Sequence, residues 1–476
     1  MASVEKIVLH NFKQFEDLCV EFSEGINILV GDNESGKSTL LEAIDITLSG
    51  SHSKVETIGL EHLFNKEVIS DFMRGKRELE NLPDLFVDVF IRDVQVEELE
   101  GENNSDLRKS WGFRFFCKPE DLYSQEISSI LRDSTKGFPF EYYTIGFNTF
   151  QGQSYRKFIV SRYINHLLFD STQINNEYAS KQYIKTLYNA HVEDDQKREH
   201  RMAFRQTKLD YQEESLNNIN DDIDDYSFGL KSNKKTGLEN NLTIIENDVD
   251  IDNTGRGRQC FIKTDFALGT SNSELHLILL EEPENHLSHS TMKILISKIH
   301  GSVEKQLIIS THNSLITSRL GLRNVIILAN RHVHTLSELN EDTAKFFEKS
   351  PKNHMLEFIL SKKVILVEGD SENMLMEKFY DQHFGVSIDE SDVHVITVGG
   401  VAFNRYLDLA KILSIRTAVI RDNDGNFQSN CIDLYSGYHD DDFLDVFYTS
   451  DDTESTFEIS IYKNNQKLCD TLFNPR

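Results

Sequence analysis

The stretch GDNESGKST, residues 31–39, constrains the fold of this chain more than any other part of the sequence. It matches the pattern G-x-x-x-x-G-K-[ST] of a phosphate-binding loop. It lies between an apolar run, INILV, and a helical pattern, STLLEAIDITL, which is the strand–loop–helix context that the motif requires. We therefore predict an α/β nucleotide-binding unit, and a plain glycine-rich turn is the competing interpretation.

The residue types in this loop suit a nucleoside triphosphate and its metal ion. Glycines let backbone N–H groups face the phosphates, the lysine reaches the β- and γ-phosphates, and the serine hydroxyl binds Mg²⁺. The following helix adds the positive end of its dipole. We predict ATP and Mg²⁺ as ligands of this loop, bound by Gly31, Asn33, Gly36, Lys37, Ser38 and Thr39.

A second element of the same chemistry is LILLEEPE, residues 277–284, a buried-strand pattern that ends in carboxylates. An ATPase of this kind needs one strand-end carboxylate for Mg²⁺ and another to polarise water. We assign Glu281 to the metal and Glu282 to the general base, and a solvated acidic turn is the alternative. His312, in ISTHN after the next strand pattern, is placed to contact the γ-phosphate, although a lone histidine is usually structural.

From residue 362 the strand patterns KKVILVEG, VHVITVGG and TAVIRD alternate with two helical patterns. The order β-α-β-α-β predicts a parallel sheet covered by helices. Ligands of such sheets bind outside the carboxyl ends of the strands, which is where Glu368, Asp422 and Asp424 are expected. Glu372 follows on the first turn of the next helix.

Carboxylates that converge at one edge of a sheet repel each other unless a cation binds between them. Hard oxygen ligands suit Mg²⁺ or Mn²⁺. A metal held in this way can activate water and stabilise the leaving oxygen of a phosphodiester. For Asp422 and Asp424 taken alone, an ordinary turn is the competing interpretation, because Asp, Asn and Gly are common turn residues.

Composition limits the remaining function classes. At 476 residues the chain is expected to form two or three domains. Its 78 acidic and 50 basic residues give a net charge of −28, so nucleic-acid binding would need a local basic groove or metal ions. No apolar run reaches membrane-span length, and no signal-peptide pattern opens the chain. Five scattered cysteines without a CxxC pair fit a reducing cytosol.

These motifs, in this order, resemble the ATP-binding-cassette ATPases of the SMC-like branch. The resemblance rests on the opening IVLHNFKQF, the phosphate loop, a long insertion, LEEPE and then STH. It implies two heads that close over two nucleotides, each lending a signature loop to the γ-phosphate held by the other. The best match to that loop is NTGRGRQ, which assigns Gly255, Arg256 and Gly257 to ATP, with an ordinary loop as the alternative.

The second carboxylate set resembles the Toprim domain of topoisomerases, primases and certain nucleases. The shared pattern is a glutamate after the first strand, the pair Gly399–Gly400, and then Asp-x-Asp. An SMC-like head followed by Toprim is similar to the OLD (overcoming lysogenization defect) nucleases, a family that includes the Gabija nuclease subunit and retron-associated effectors. The resemblance covers about residues 1–60 and 250–460 and implies an anti-phage defence role.

The same resemblance implies a second metal site from a C-terminal acidic motif and a catalytic lysine near it. DDTES, residues 451–455, offers Asp452 and Glu454 as ligands, and a solvated acidic loop is the alternative. Lys463 and Lys467 are the candidates for the lysine. The insertion implies a dimerising helical hairpin at 183–216. Its basic stretch is expected to be a solvated helix face rather than a nucleic-acid contact, and consists of Lys197, Arg198, Arg201, Arg205 and Lys208.

The predicted architecture is an α/β chain with an SMC-like ABC ATPase head at 1–180 and 250–345, a helical insertion at 181–249 and a Toprim domain at 360–476. The predicted function is an ATP-regulated endonuclease that uses Mg²⁺, or Mn²⁺ at the nuclease site, to cut DNA in the bacterial cytoplasm. Expected partners are DNA, a second copy of the chain and a defence-system component such as retron RNA/DNA or a helicase-like subunit, with no membrane. The alternative is an SMC-like ATPase whose Toprim unit binds or assembles without cutting.

Overall fold

The computed structural model describes residues 2–173, 176–221, 226–231, 236–269, 275–302, 304–329, 331–349, 354–399, 402–438 and 441–473. The chain divides into two compact units. Unit 1 consists of residues 1–312 with 330–333, and unit 2 of residues 313–329 with 334–476. The predicted α/β class is confirmed, since both units contain parallel strands connected through helices.

The strands in the described residues are β1 Ser3–Phe12, β2 Phe15–Glu21, β3 Ile26–Gly31, β4 Leu85–Arg92, β5 Glu100–Gly101, β6 Ser110–Pro119, β7 Tyr143–Thr149, β8 His166–Asp170, β9 Ile245–Glu246, β10 Val249–Asp250, β11 Leu277–Glu281, β12 Gln306–Ser310, β13 Val325–Ala329, β14 His332–Thr335, β15 Lys363–Val367, β16 Val393–Thr397, β17 Arg416–Ile420 and β18 Leu444–Phe447.

The α-helices in the same residues are α1 Lys37–Ser49, α2 His52–Ile58, α3 Leu60–Leu63, α4 Lys66–Arg74, α5 Ser124–Arg132, α6 Lys157–Val160, α7 Glu177–His191, α8 Asp194–Tyr211, α9 Asn217–Asn220, α10 Arg256–Gly269, α11 His289–Gly301, α12 Ser314–Arg319, α13 Glu341–Lys349, α14 Met355–Leu360, α15 Asp370–Phe384, α16 Phe403–Leu413, α17 Phe457–Asn464 and α18 Gln466–Phe473. Within the described residues, no helix is both long and apolar enough to cross a membrane.

Unit 1 begins with an antiparallel sheet. β1 pairs with β2 and β4, β4 pairs with β6, and β6 also pairs with β5 and β7. Buried and exposed positions alternate along β2, and β1 is buried at nearly every second position. This period of two gives the sheet one apolar face that packs into the core of the unit.

The phosphate loop belongs to a second group of strands in unit 1, which run parallel in the order β8, β11, β12, β3. β11 and β12 are apolar and buried along almost their whole length, as expected for parallel strands covered on both faces. Their carboxyl ends therefore meet at one edge. Asp170, Glu281, Ser310 and Gly31 are the last residues of these four strands.

Unit 2 contains a parallel sheet of strand order β16-β15-β17-β18. β15, α15, β16, α16 and β17 follow one another along the chain, so the predicted β-α-β-α-β order is confirmed. Leu366 of β15 lies beside Val419 of β17. Because the two strands are adjacent and parallel, the residues that follow them lie next to each other.

One buried side chain connects the two groups of strands in unit 1. Gln306, at the start of β12, is 1% exposed. Its Oε1 accepts the N–H of Val4 at 2.8 Å, and its Nε2 donates to the carbonyl oxygens of Val4 and Ser23, each at 2.8 Å. The carboxamide thus supplies hydrogen-bond partners that the backbone of Val4, at the start of β1, would otherwise lack.

We expect Gln306→Leu to destabilise unit 1 by about 2 kcal/mol, because it leaves the buried N–H and C=O of Val4 without these partners. Thermal unfolding followed by circular dichroism should show a lower midpoint temperature for the unfolding of unit 1. The control is Gln182→Leu, the same change at an exposed position of α7. Equal midpoints for the two variants would show that the carboxamide does not hold the sheets together.

Candidate functional site

The phosphate loop is shaped by its glycine before the helix. Gly36 has φ +101°, and a Cβ there would lie 2.2 Å from the ring of Phe15, so the position requires glycine. Lys37 Nζ donates to the carbonyl oxygens of Gly31 at 2.8 Å and Asp32 at 2.9 Å. The lysine is 6% exposed, and burial lowers its pKa. Its ammonium group therefore lies inside the loop, where a phosphate would give it a charged partner.

The other loop residues differ in what they contact. Ser35 Oγ is buried and has no hydrogen-bond partner among the described residues, which fits a loop that binds an anionic ligand. Thr39 Oγ1 instead donates to Gln14 Oε1 at 2.9 Å, so its side chain fastens α1 to the β1–β2 turn. Asn33 lies exposed at the tip of the loop. Gln14 was not singled out by the sequence, because its position depends on the sheet.

Glu281, the last residue of β11, faces the beginning of α1. Its carboxylate accepts a hydrogen bond from Ser38, and burial raises its pKa to about 7, with Asp170 and Glu282 adding to the shift. Asp170 is the direct neighbour of Glu281 across the parallel pair β8–β11. The sequence analysis missed Asp170, although HLLFD is an apolar run that ends in a carboxylate.

Glu282 and His312 come together as the sequence order of the motifs suggests. His312 Nε2 lies 3.3 Å from Glu282 Oε1, and Asn285 Nδ2 donates to Glu282 Oε2 at 2.8 Å. Burial, followed by the charge of Lys37, lowers the pKa of His312, so the imidazole is neutral at pH 7. Glu282 has φ +45°, an uncommon conformation for a residue with a side chain and one that is frequent at functional sites.

Glu284 acts as a structural carboxylate in the same turn. Its Oε1 accepts the hydroxyl of Thr311 and, at 3.2 Å, the N–H of His312. Its Oε2 is buried without a partner, and burial raises its pKa. Glu284 therefore connects the acidic turn to the end of β12 and positions His312.

The predicted signature residues lie at the start of α10. Gly255 accepts hydrogen bonds from the first turn of the helix, which begins at Arg256. A Cβ at Gly257 would lie 2.3 Å from the carbonyl oxygen of His286, so the segment packs closely on the turn that follows β11. Whether this segment contacts a nucleotide held by a second copy stays a prediction.

A cavity of about 950 Å³ adjoins the phosphate loop in unit 1. Ser38, Asp170, Gln173 and Glu281 are among the residues that line it. Gln173 comes three residues after β8 and therefore shares the cavity with the two groups assigned to the metal of ATP. Gln173 could not be identified from the sequence, because the pattern STQINN does not show that β8 lies beside β11 and Glu281.

In unit 2, adjacent parallel strands bring the predicted carboxylates together. Glu368 follows β15, and Asp422 and Asp424 follow β17. Asn423, between the two aspartates, is fully buried and donates to the carbonyl oxygens of Thr449 and Asp451, each at 3.0 Å. This amide, which the sequence analysis did not select, fixes the turn against the segment after β18.

Asp422 lies among several acidic groups. Burial raises its pKa to about 6, and the charges of Glu368, Glu372 and Glu458 add to the shift. Glu372 is 4% exposed, and its Oε2 accepts the N–H of Gly369 at 3.1 Å at the start of α15. Glu458, on the first turn of α17, accepts the hydroxyl of Ser371 at 2.6 Å. Ser371 Oγ also lies 3.4 Å from Glu372 Oε2, so the carboxylates of Glu372 and Glu458 lie on either side of one hydroxyl, and both of their charges act on Asp422.

Glu458 was missed by the sequence analysis, which selected Asp452 and Glu454 from the same segment. Asp452 Oδ1 accepts the N–H of Phe427 at 2.8 Å, and Glu454 Oε2 accepts the hydroxyl of Ser460 at 2.9 Å. Both carboxylates thus have local hydrogen-bond partners, and their role as metal ligands stays a prediction. Lys463 Nζ donates to Thr453, Lys467 lies on α18, and Gly400 lies outside the described residues.

The other two carboxylates of the set have a different partner. Arg421 Nη1 donates to Glu368 Oε2, and Arg421 Nη2 donates to Asp424 Oδ2 at 2.7 Å. Hard oxygen donors of this kind suit Mg²⁺ or Mn²⁺. In the part of the chain that the structure describes, however, no group of three or more such side chains is arranged to hold an ion. The donor chemistry fits a divalent metal, but the guanidinium of Arg421 would have to release Glu368 and Asp424 before both could bind the ion.

Most of the basic side chains of α8 are engaged within the chain. Lys197 pairs with Asp194 at 3.0 Å, Arg201 pairs with Glu239, and Lys208 Nζ donates to the carbonyl oxygen of Thr236 at 2.5 Å. Arg198 lies 3.7 Å from Asp195. These contacts favour the interpretation of α8 as a helix with locally balanced charge over that of a nucleic-acid contact.

Two family models match the chain. An AAA domain matches residues 6–251, which is 246 of the 476 residues. The TOPRIM domain of overcoming lysogenization defect protein-like sequences matches residues 359–424. The first match contains the phosphate loop, and the second contains Glu368, Asp422 and Asp424.

Individual proteins show similarity over shorter segments. The DNA replication and repair protein RecF of Pediococcus pentosaceus is 48% identical over 50 residues, which cover 10% of this chain and 13% of RecF. Endonuclease GajA of Bacillus cereus (strain HuB5-5) is 23% identical over 249 residues, 46% of this chain and 33% of GajA. These matches span a third or less of the curated relatives. A solved SMC head bound to the C-winged helix domain of ScpA is 15% identical, with a TM-score of 0.38 over 71% of this chain and 99% of that one.

The raised pKa of Glu281, about 7, predicts a proton-linked step in metal–nucleotide binding. Below pH 7 the carboxyl is protonated and cannot bind a cation, so affinity for Mg²⁺-ATP should rise from pH 6 to pH 8 and binding should release protons. Calorimetry in buffers of different ionisation enthalpy measures this release. Glu281→Gln should release fewer protons than the wild type, whereas the exposed control Glu61→Gln should match it. Equal release by all three proteins would contradict the assignment.

Proposed function

We propose that this chain, which belongs to the AAA-domain family and carries an OLD-like TOPRIM segment, is an ATP-regulated, metal-dependent DNA endonuclease. The single observation that carries the proposal is the meeting of Glu368 and Asp422 at adjacent carboxyl ends of a parallel sheet. Burial, followed by the charge of Glu368, raises the pKa of Asp422 to about 6. Both carboxylates are partly shielded from solvent, Glu368 being 28% exposed, and a site for a divalent cation requires carboxylates that are gathered in this way.

The ATP site would divide its work among the groups at the strand ends. Lys37 holds a positive charge inside the loop for the β- and γ-phosphates, and Ser38 and Glu281 would hold Mg²⁺ together. Glu282 is positioned to accept a proton from water, with neutral His312 at 3.3 Å keeping its carboxylate oriented. Gln173 shares the cavity with Ser38 and Glu281, and we propose that its carboxamide contacts the bound metal–nucleotide as well.

The nuclease site would use the carboxylates of unit 2. A divalent ion, Mg²⁺ or Mn²⁺, would supply an activated water and charge stabilisation at the phosphodiester. The residues that would hold it are Glu368, Glu372, Asp422, Asp424 and Glu458. Asn423 keeps the aspartate turn in place through its two backbone acceptors. Asp452 and Glu454 would serve a second ion only if their present hydrogen bonds were exchanged.

The partners and setting follow from the same proposal. DNA is the substrate, and a second copy of the chain would bring its Gly255–Gly257 segment to the ATP of the first. The name of the similar B. cereus protein supports endonuclease activity, and the family resemblance supports a place in anti-phage defence. A retron RNA/DNA element or a helicase-like subunit would be the defence-system partner. A bacterial cytoplasm would supply the ATP and Mg²⁺ that both sites need.

A second candidate function rests on a specific observation. Arg421 occupies oxygens of Glu368 and Asp424 that a metal would need. An SMC-like ATPase whose TOPRIM unit binds or assembles without cutting would keep this ion pair permanently. Cleavage assays with Mg²⁺ and with Mn²⁺ separate the two functions, because only the endonuclease would cut DNA when either metal is added.

Substitutions in the two sites should separate the two activities. Lys37→Ala should abolish ATP hydrolysis, because it removes the loop ammonium. Asp422→Ala should abolish cleavage of duplex DNA and leave ATP hydrolysis within about twofold of the wild type, since its turn belongs to the TOPRIM sheet. Phosphate release and gel assays of cleavage, each with and without ATP, measure these outcomes. Cleavage by Asp422→Ala at the wild-type rate would remove the proposed nuclease site.

Glu458 should matter more for cleavage than its neighbour Glu454. Glu458 faces Asp422, whereas Glu454 accepts the hydroxyl of Ser460. We expect Glu458→Gln to reduce metal-dependent cleavage at least about tenfold, a loss common for a metal ligand or its support. The matched variant Glu454→Gln should retain most of the activity. The reverse order of effects would show that the DDTES motif provides the ligand after all.

A further inference from the structure

The carboxylates that follow β15 and β17 already share a cation, and that cation belongs to the chain. Arg421 donates through Nη1 to Glu368 and through Nη2 to Asp424, the latter at 2.7 Å. The guanidinium therefore bridges two of the groups that we assign to the nuclease metal. The two hydrogen bonds of the guanidinium go to Glu368 and Asp424, while Asp422 carries the added charges of Glu368, Glu372 and Glu458.

Arg421 is not a solvated surface side chain. Its side chain is 9% exposed, and its guanidinium carbon lies 5.9 Å from the ring centre of Phe403. Its Nε is buried and has no hydrogen-bond partner in the part of the chain that the structure describes. Its backbone N–H donates to Phe447 O at 2.9 Å, which keeps the residue in line with the β17–β18 pair. Its partners are more open to solvent, since the side chains of Glu368 and Asp424 are 28% and 49% exposed.

We propose that Arg421 is an internal counter-ion that competes with the divalent metal for Glu368 and Asp424 and thereby sets the metal affinity of the site. This inference rests on the metal-dependent nuclease proposed above. A guanidinium and a divalent cation repel each other and cannot occupy the same carboxylate oxygens. Metal binding therefore breaks two ion pairs, and the free energy of those pairs is subtracted from the affinity.

The same contacts explain how the metal-free site stays folded. The five carboxylates assigned to the site would repel one another, and Arg421 neutralises two of them while Ser371 and Gly369 donate to Glu458 and Glu372. Removing the guanidinium leaves an excess of negative charge that only a bound cation can offset. The variant Arg421→Gln should therefore unfold at a lower temperature than the wild type without metal and gain more from added Mn²⁺.

The test measures Mn²⁺ binding to the full chain by electron paramagnetic resonance and calorimetry, without nucleotide. The site is identified as the binding that Asp422→Asn removes. Arg421→Gln should bind Mn²⁺ at least about tenfold more tightly than the wild type, which is an ordinary size for a coupling between two ligands. Arg421→Lys, which keeps the charge without the planar fork, should fall between the two.

The matched control is Arg416→Gln, which removes the same charge from an exposed position on the same strand. It should bind Mn²⁺ as the wild type does. If Arg421→Gln binds Mn²⁺ equally or more weakly than this control, the guanidinium is a fixed part of the site and the inference is wrong. If none of the proteins binds Mn²⁺ at this site, both the inference and the proposed nuclease are wrong. Tighter binding by Arg421→Gln without DNA cleavage by any protein would leave the inference standing and remove only the nuclease.

Discussion

Repulsion between carboxylates at the ends of parallel strands is the constraint on which both sites depend. Parallel pairing places Glu281 beside Asp170 in unit 1 and Glu368 near Asp422 in unit 2. Each cluster contains one buried cation from the chain, Lys37 in the first and Arg421 in the second. Both clusters have carboxylates that suit an external cation. In each, the positive side chain of the chain itself has to adjust when a ligand binds.

The two cations differ in what a ligand does to them. Lys37 donates only to two carbonyl oxygens of its own loop, so a phosphate improves its environment and binding is favoured. Arg421 already has two carboxylate partners, so a metal ion removes contacts that it must then replace. The ammonium group would gain a partner from a bound anion, whereas the guanidinium would compete with a bound cation, so the proposed ATP and nuclease sites differ in how their own positive charge responds to a ligand.

Sequence reasoning succeeded where chemistry is carried by a short stretch of chain. The phosphate loop, the acidic end of β11 and the β-α-β-α-β order of unit 2 were all readable, because strand periodicity and glycine spacing are local properties. It missed Asp170, Gln173, Asn423 and Glu458, which acquire their roles only through a neighbouring strand or helix. Glu458 shows the reason clearly, since DDTES looked like the acidic motif while the next helix turned a different carboxylate toward Asp422.

Local patterns along the chain are enough to identify residues that can do chemistry: a phosphate loop with its lysine, two acidic strand ends and an Asp-x-Asp turn. The tertiary structure decided which of them meet. Strand order is not written in any single segment, and it alone brings Glu368 to Arg421 across β15 and β17. An arginine that precedes Asp422 reads as an ordinary strand-end residue in the sequence. Only the folded sheet brings it to two carboxylates of the proposed metal site, because charge compensation depends on distance through space and not along the chain.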